Sequence, residues 1–178
     1  RLKGLLTNFL EFARPQPPQP SFIEPRLLLD SVSHLAGETA RMAGAAIRIE
    51  SAQGPAVWVD AEQIKQVLLN LLLNAIQAMP SGGKIVLRSR HEDDSVLLEV
   101  ADQGVGITPE NLERIFDPFF TTRAGGTGLG LSIAYRIVER HGGQLSARNN
   151  PNGGVTFTLV LPLSQPGVAA VSTMNALS

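Results

Sequence analysis

The chain contains no cysteine. This excludes disulfides, thiolate metal sites and cysteine nucleophiles, and fits a reducing compartment. Charge of one sign is also missing: 15 Lys and Arg against 16 Asp and Glu leave a net charge of −1. No long-range field draws a polyanion to such a surface. Aromatics make up 5% of the residues, and none interleave with a basic run, so a nucleic-acid partner is not expected. No apolar run reaches membrane-spanning length, and no secretion signal is visible. Of the 178 residues, 43% are hydrophobic, enough for one domain with a core and a short extra element. The chain opens inside a helical pattern without Met, and reads as a piece of a longer protein.

What is present is concentrated between Asp102 and Leu131. Two glycine clusters, Gly104/Gly106 and Gly125/Gly126/Gly128/Gly130, flank the aromatic segment FDPFF at 116–120. Glycine is needed where backbone takes φ > 0 or approaches a ligand closely. A glycine run that opens a helix turns free N–H groups toward an anion. The second cluster does open one, for Ile133, Ala134, Ile137, Val138 and His141 fall on one helical face. The two clusters together predict a nucleotide cavity with phosphates at a helix N-terminus.

Around this centre the chain reads in order. Leu2, Leu5, Leu6, Phe9, Leu10 and Ala13 form a stripe at helical spacing. A helix of this length is marginal alone, so it requires a partner, either its own domain or an intermolecular bundle. The proline-rich run 15–20 ends it and forms a stiff linker. Residues 21–24 read as an edge strand. Pro25 suits a first helical turn, and the helix continues to about Ala43. Residues 46–51 alternate as a half-buried strand does. Asp60 is expected as an N-cap, with Gln63 completing a variant capping box, for a helix to Met79. Residues 84–91 and 95–102 read as one hairpin, and 144–149 and 154–161 as a second. A short helix after Pro109 and the glycine helix lie between them. Residues 164–178 lack charge and periodicity and read as disordered. This order predicts an α+β two-layer sandwich: one mostly antiparallel sheet with helices on one face.

The helix from Asp60 carries Asn70 and Asn74 on one face, four apart, with Gln66 and Gln77 along the same polar edge. Asn is a poor mid-helix residue. A solvated helix edge would explain one such residue more readily than two. An amide oxygen is a neutral hard ligand, suited to Mg²⁺ that keeps its waters and a nucleotide's phosphates; Asn74 is the expected metal ligand. Asp102 ends a strand before Gly104 and Gly106. It reads either as a turn residue or as a carboxylate accepting a hydrogen bond from an adenine amine.

In this order the motifs resemble those of sensor histidine kinases. NLLLNA at 70–75 is similar to their N box, and DQGVG at 102–106 to the first glycine box. FDPFF at 116–120 is similar to the F box, and GTGLGL at 126–131 to the second glycine box. The resemblance covers residues 21–163 and implies the Bergerat ATP-binding fold, shared with gyrase-type ATPases, Hsp90 and MutL. It implies Mg²⁺ on Asn74, phosphates facing Asn70, adenine on Asp102, and Gly104 and Gly106 in the adenine wall. It implies phosphate contacts from Gly128 and Gly130, and lays Ile107, Gly126, Thr127, Leu129 and Leu131 along the nucleotide. Thr156 matches a position that helps hold adenine through water. Phe116, Phe119 and Phe120 would hinge and anchor an ATP lid that includes Thr121, Thr122 and Arg123. That lid is short, as in the subgroup resembling nitrogen-regulation and zinc- or acetoacetate-sensing kinases. Many relatives carry Lys where this chain has Gln77. Arg123 either replaces that cation or is a solvated loop residue.

Gyrase-type ATPases carry a Glu at the position of Asn70 to activate water. An amide cannot take that proton, so hydrolysis is expected to be poor. A neutral histidine is already nucleophilic, and phosphoryl transfer relies mostly on positioning and charge neutralisation. None of His34, His91 and His141 sits in the family's acceptor pattern of His, an acidic residue and a downstream Pro. The acceptor is therefore expected upstream, and residues 1–14 resemble the end of a dimerisation and phosphotransfer helix. The expectation is a protein-histidine kinase catalytic domain, cytoplasmic, within a homodimer that can be anchored to the inner membrane and that passes phosphate to a response regulator. A non-catalytic ATP-sensing module and a gyrase- or MutL-like ATPase are the alternatives.

Overall fold

The computed structural model describes residues 17–123 and 125–163. The expected helix at 1–14, the first residues of the proline linker and the tail at 164–178 lie outside the described residues. Strand β1 (Ser21–Ile23) leads into helix α1 (Pro25–Met42), whose first residue is the proline. Helical spacing turns Leu28, Leu29, Val32, Ala36 and Ala40 inward. Gly44, at φ 70°, ends this helix and starts β2 (Ala45–Ser51). Strand β3 (Val57–Val59) follows and pairs antiparallel with β1.

Helix α2 (Ala61–Gln77) starts at Asp60, whose Oδ1 accepts from the N–H groups of Glu62 and Gln63, both at 3.1 Å. The Asp60 N–H itself donates to His141 Nε2 at 3.1 Å. Strands β4 (Gly83–Glu92) and β5 (Ser95–Ala101) form the first hairpin, and α3 (Pro109–Leu112) is a single turn. Helix α4 (Gly130–Arg140) precedes β6 (Gln144–Asn149) and β7 (Val155–Pro162).

The main sheet has the order β2-β4-β5-β7-β6, with β2–β4 parallel and the other neighbours antiparallel. Alternation places Ile85, Leu87, Val96, Leu98, Val100, Phe157, Leu159 and Leu161 on the inner face, where all are buried. Helices α1, α2 and α4 cover that face, with α2 in contact with both neighbours. The two-layer α+β expectation is borne out. The addition is β3, which makes the edge strand β1 part of a separate two-stranded sheet.

His141, at the end of α4, is buried. Its Nε2 must accept from the Asp60 N–H, so the ring proton sits on Nδ1, which donates to Ile137 O at 2.7 Å. This imidazole joins the end of α4 to the start of α2. His34 is exposed on α1 and His91 lies on β4.

Candidate nucleotide site

A cavity of about 710 Å³ opens between α2, the β5–α3 connection, the loop before α4 and the first residues of α4. Asn70, Asn74 and Gln77 line it from one edge of α2. Their spacing of four and three puts all three side chains on the same side of the helix.

Asp102 lines the cavity next to β7 and is 4% exposed. Its Oδ1 accepts from the N–H groups of Gly104 (2.8 Å) and Val155 (3.2 Å). Neither bond uses Oδ2, which is left as an acceptor for a ligand. Burial pushes the Asp102 carboxyl above its ordinary value, and the two N–H bonds oppose that rise. The backbone here is held from both sides: Asp102 N–H donates to Val155 O at 2.9 Å, and Asp102 O accepts from Asn150 Nδ2 at 3.1 Å. Asn150 Oδ1 in turn accepts from the Thr156 hydroxyl at 2.7 Å. Gly154, at φ 83°, makes this possible, because a Cβ there would lie 2.0 Å from Asp102 O. One residue earlier, Asn149 braces the loop after Asp102 with both ends of its amide. It donates to Ile107 O at 2.6 Å and accepts from Ile107 N–H at 2.9 Å.

The loop before α4 is tied at its base. Phe119, a non-glycine residue at φ 66°, donates its N–H to Gly128 O at 2.9 Å. A Cβ on Gly128 would lie 2.3 Å from the Phe119 carbonyl carbon, so this close crossing requires glycine. Phe116 packs against Tyr135 with ring centroids 5.3 Å apart, and Arg114 lies over the Phe120 ring at 4.6 Å. These two rings anchor the loop to the body of the domain. Within the loop, Arg123 reaches α2: Nη1 donates to Asn74 Oδ1 at 3.1 Å and to Gln77 Oε1, and Nη2 donates to Asn74 O at 3.2 Å.

Leu129 occupies the N-cap of α4, and no side chain caps it. Its own N–H donates to Thr127 Oγ1 at 3.2 Å. The free N–H groups of the first helical turn therefore belong to Gly130 and its neighbours, where Gly130 and Leu131 line the cavity. A Cβ on Gly130 would lie 2.7 Å from Asn70 Oδ1. The glycine thus lets the α2 amide sit against the start of α4.

Most of the residues singled out in the sequence meet in this one cavity: the α2 amides, Asp102, Gly106 and Ile107, Thr121 to Arg123, and the loop from Gly126 to Gly128 with Gly130 and Leu131. Of the residues expected along the nucleotide, Gly104, Phe119, Leu129 and Thr156 do not line it. Gly104 packs behind it, where a Cβ would meet Ala78 O at 2.7 Å. Leu129 is buried in the core, Phe119 is 61% exposed, and Thr156 spends its hydroxyl on Asn150. Ala78, Asn111, Ile115, Phe120, Val155 and Phe157 also line the cavity, although residue type and spacing assign them no binding role. Asn149 and Asn150 do not line the cavity; they brace the backbone of Ile107 and Asp102 beside it. Their signal in the sequence is a pair of Asn residues where the second hairpin turns, a place where turn chemistry alone accounts for Asn.

Among the described residues, no group of three or more His, Cys, Asp or Glu could hold a metal ion. The donor set available is a neutral amide oxygen on Asn74. That fits a hard cation carried mainly by phosphate oxygens and water, as Mg²⁺ is.

Residues 59–165 match the family model described as histidine kinase-, DNA gyrase B- and HSP90-like ATPase. The chain is 37% identical over 170 residues to the signal transduction histidine-protein kinase AtoS of Escherichia coli, covering 93% of this chain and 28% of AtoS. It spans about a quarter of the length of the first curated relatives it matches. Among solved structures, the catalytic domain of histidine kinase ThkA superposes with a TM-score of 0.76 at 37% identity, over 82% of this chain and 96% of that one. ThkA in complex with the response regulator protein TrrA gives 0.80 at 33%, over 92% and 48%. Full-length ShkA in complex with AMPPNP gives 0.84 at 28%, over 92% and 36%. The chain belongs to the histidine kinase-, DNA gyrase B- and HSP90-like ATPases, and within them to the catalytic domains of histidine kinases.

Proposed function

We propose that this domain binds ATP with Mg²⁺ and presents the γ-phosphoryl group to a histidine on a helical dimerisation and phosphotransfer bundle of the same protein. The observation that carries this reading is that buried Asp102 and the uncapped start of α4 line a single cavity. Asp102 Oδ2 accepts from the adenine amine, with Gly106 and Ile107 along the ring. The N–H groups at the start of α4, Asn70 and Arg123 take the phosphates. Asn74 Oδ1 is the protein's ligand to Mg²⁺, which neutralises charge on the transferring group and on the leaving diphosphate. The imidazole nitrogen forms a bond to the γ-phosphorus as the bond to the bridging oxygen breaks. ADP leaves, and the imidazole proton is lost to solvent.

Transfer is favoured over hydrolysis by the carboxylates at hand. Among the described residues lining the cavity, Asp102 is the one carboxylate, and it is already engaged by two N–H bonds. Asn70 has no proton-accepting group for water. ThkA was solved with a response regulator; by analogy the phosphohistidine here serves a receiver-domain Asp, within a homodimer. Among the described residues no helix is long and apolar enough to cross a membrane.

The test mixes this chain with a separately made helical bundle and labelled ATP. Label on the bundle histidine is expected. No label at full ATP occupancy would favour a nucleotide-sensing module instead. Steady-state hydrolysis by the chain alone, abolished by Asn70→Ala, would favour an ATPase.

A further inference from the structure

Helix α2 has no basic residue in its last turn, where the helix dipole favours a cation. The loop before α4 supplies one from 49 positions away: Arg123 bonds Asn74 Oδ1, Asn74 O and Gln77 Oε1. Among the described residues lining the cavity, Arg123 is the one cation. The loop is tied independently at its base by Phe119 and Gly128. It is therefore held at two places, and the second tie falls on the amide oxygen that the metal would need. A guanidinium and a dication cannot share that oxygen, because like charges repel at contact distance.

We propose that Gln77 is a positioning residue that acts through Arg123. Its amide oxygen seats the guanidinium over Asn74 in the nucleotide-free protein. The guanidinium holds the cation position at the end of α2 until the metal–nucleotide complex takes Asn74 Oδ1. Arg123 then moves with the loop onto the phosphates. This last step rests on the function proposed above; the seating of Arg123 does not. A neutral amide at position 77 is what permits the seat, since a lysine ammonium there would repel the guanidinium.

Two measurements on the whole chain test this. The first is the rate of tryptic cleavage after Arg123 without nucleotide or metal. Gln77→Ala should raise it about tenfold, the loss of one hydrogen bond to a charged group. Gln77→Lys should raise it at least as much, and Gln77→Glu, which keeps an acceptor oxygen, should leave it slow. The second is a double-mutant cycle on the dissociation constant for Mg-ATP, by calorimetry. Gln77→Ala should tighten binding in the parent chain, because it removes a contact made only in the nucleotide-free state, but have no further effect beside Arg123→Ala. Equal cleavage rates in parent and Gln77→Ala would overturn the seat. Weaker binding by Gln77→Ala, or an equal change of affinity in both backgrounds, would overturn the action through Arg123. If the parent chain itself gives no heat with Mg-ATP, the nucleotide reading fails while the cleavage series still decides the seat.

Discussion

Replacing Asp102 with Asn separates binding from folding. The substitution keeps an amide oxygen where Oδ1 accepts from Gly104 and Val155 at 2.8 and 3.2 Å, so the local fold retains its acceptor. It removes a buried charge and turns an NH₂ group, rather than a second acceptor, toward the adenine amine. Loss of one charge-assisted hydrogen bond weakens binding by about 1.5–3 kcal/mol, roughly a tenfold to hundredfold rise in the Kd for ATP. Stability should move the other way. Burial raises the Asp102 carboxyl in the folded chain, so the native state holds this proton more tightly than the unfolded state does. Its contribution to stability is fully present below the ordinary carboxylate value of the unfolded chain and is lost as pH rises through the raised folded value. At neutral pH Asp102→Asn therefore unfolds at the same or a higher urea concentration, and its stability varies less with pH. ATP affinity of the parent chain should fall on acidification, beginning at a higher pH than for an ordinary carboxylate, because only the ionised form leaves Oδ2 as an acceptor. Calorimetry across a pH series, with urea unfolding of both proteins, measures all of this. A variant that folds normally and binds ATP as tightly as the parent chain at pH 7 would refute the role given to Asp102.

Gly154→Ala should be among the most destabilising changes outside the inner sheet face. It combines φ 83° with a Cβ 2.0 Å from Asp102 O, and should cost about 3 kcal/mol or more in urea unfolding. His141→Ala leaves the Asp60 N–H without its acceptor and should cost about 2 kcal/mol, read from the same transition. Gly130→Ala places a methyl 2.7 Å from Asn70 Oδ1. It should raise the Kd for ATP about tenfold, the usual scale for one forced displacement, and the double variant with Asn70→Ala should bind no worse than Asn70→Ala alone.

The α2 amides and the glycine-flanked Asp102 were legible because residue type and spacing carry their chemistry directly. Four positions on a helix define a face, and an uncapped glycine start defines an anion site. Strand β3 was not legible, since the three residues Val57–Val59 are too few to show alternation. The apolar wall of Ile115, Phe120, Val155 and Phe157 was hidden for another reason: by type these residues are indistinguishable from core. Phe119 was read as an anchor beside Phe116 and Phe120, yet a positive φ turns it outward, and nothing in the letters FDPFF separates the three. Asn149 and Asn150 act on residues 42 and 48 positions earlier, a reach that local pattern cannot display.

The imidazole joining the two helices has a mechanical consequence. Asn70 lies against Gly130 and Asp60 is bonded to His141, so α2 and α4 lie side by side in opposite directions, in close contact at one point and hydrogen-bonded at another about 15 Å along the axis. A bond at one end and close packing at the other resist splaying of rigid rods. The gap between the rods is then a fixed gauge, set before any guest arrives, and entry and exit must proceed by displacing the short strap that crosses it.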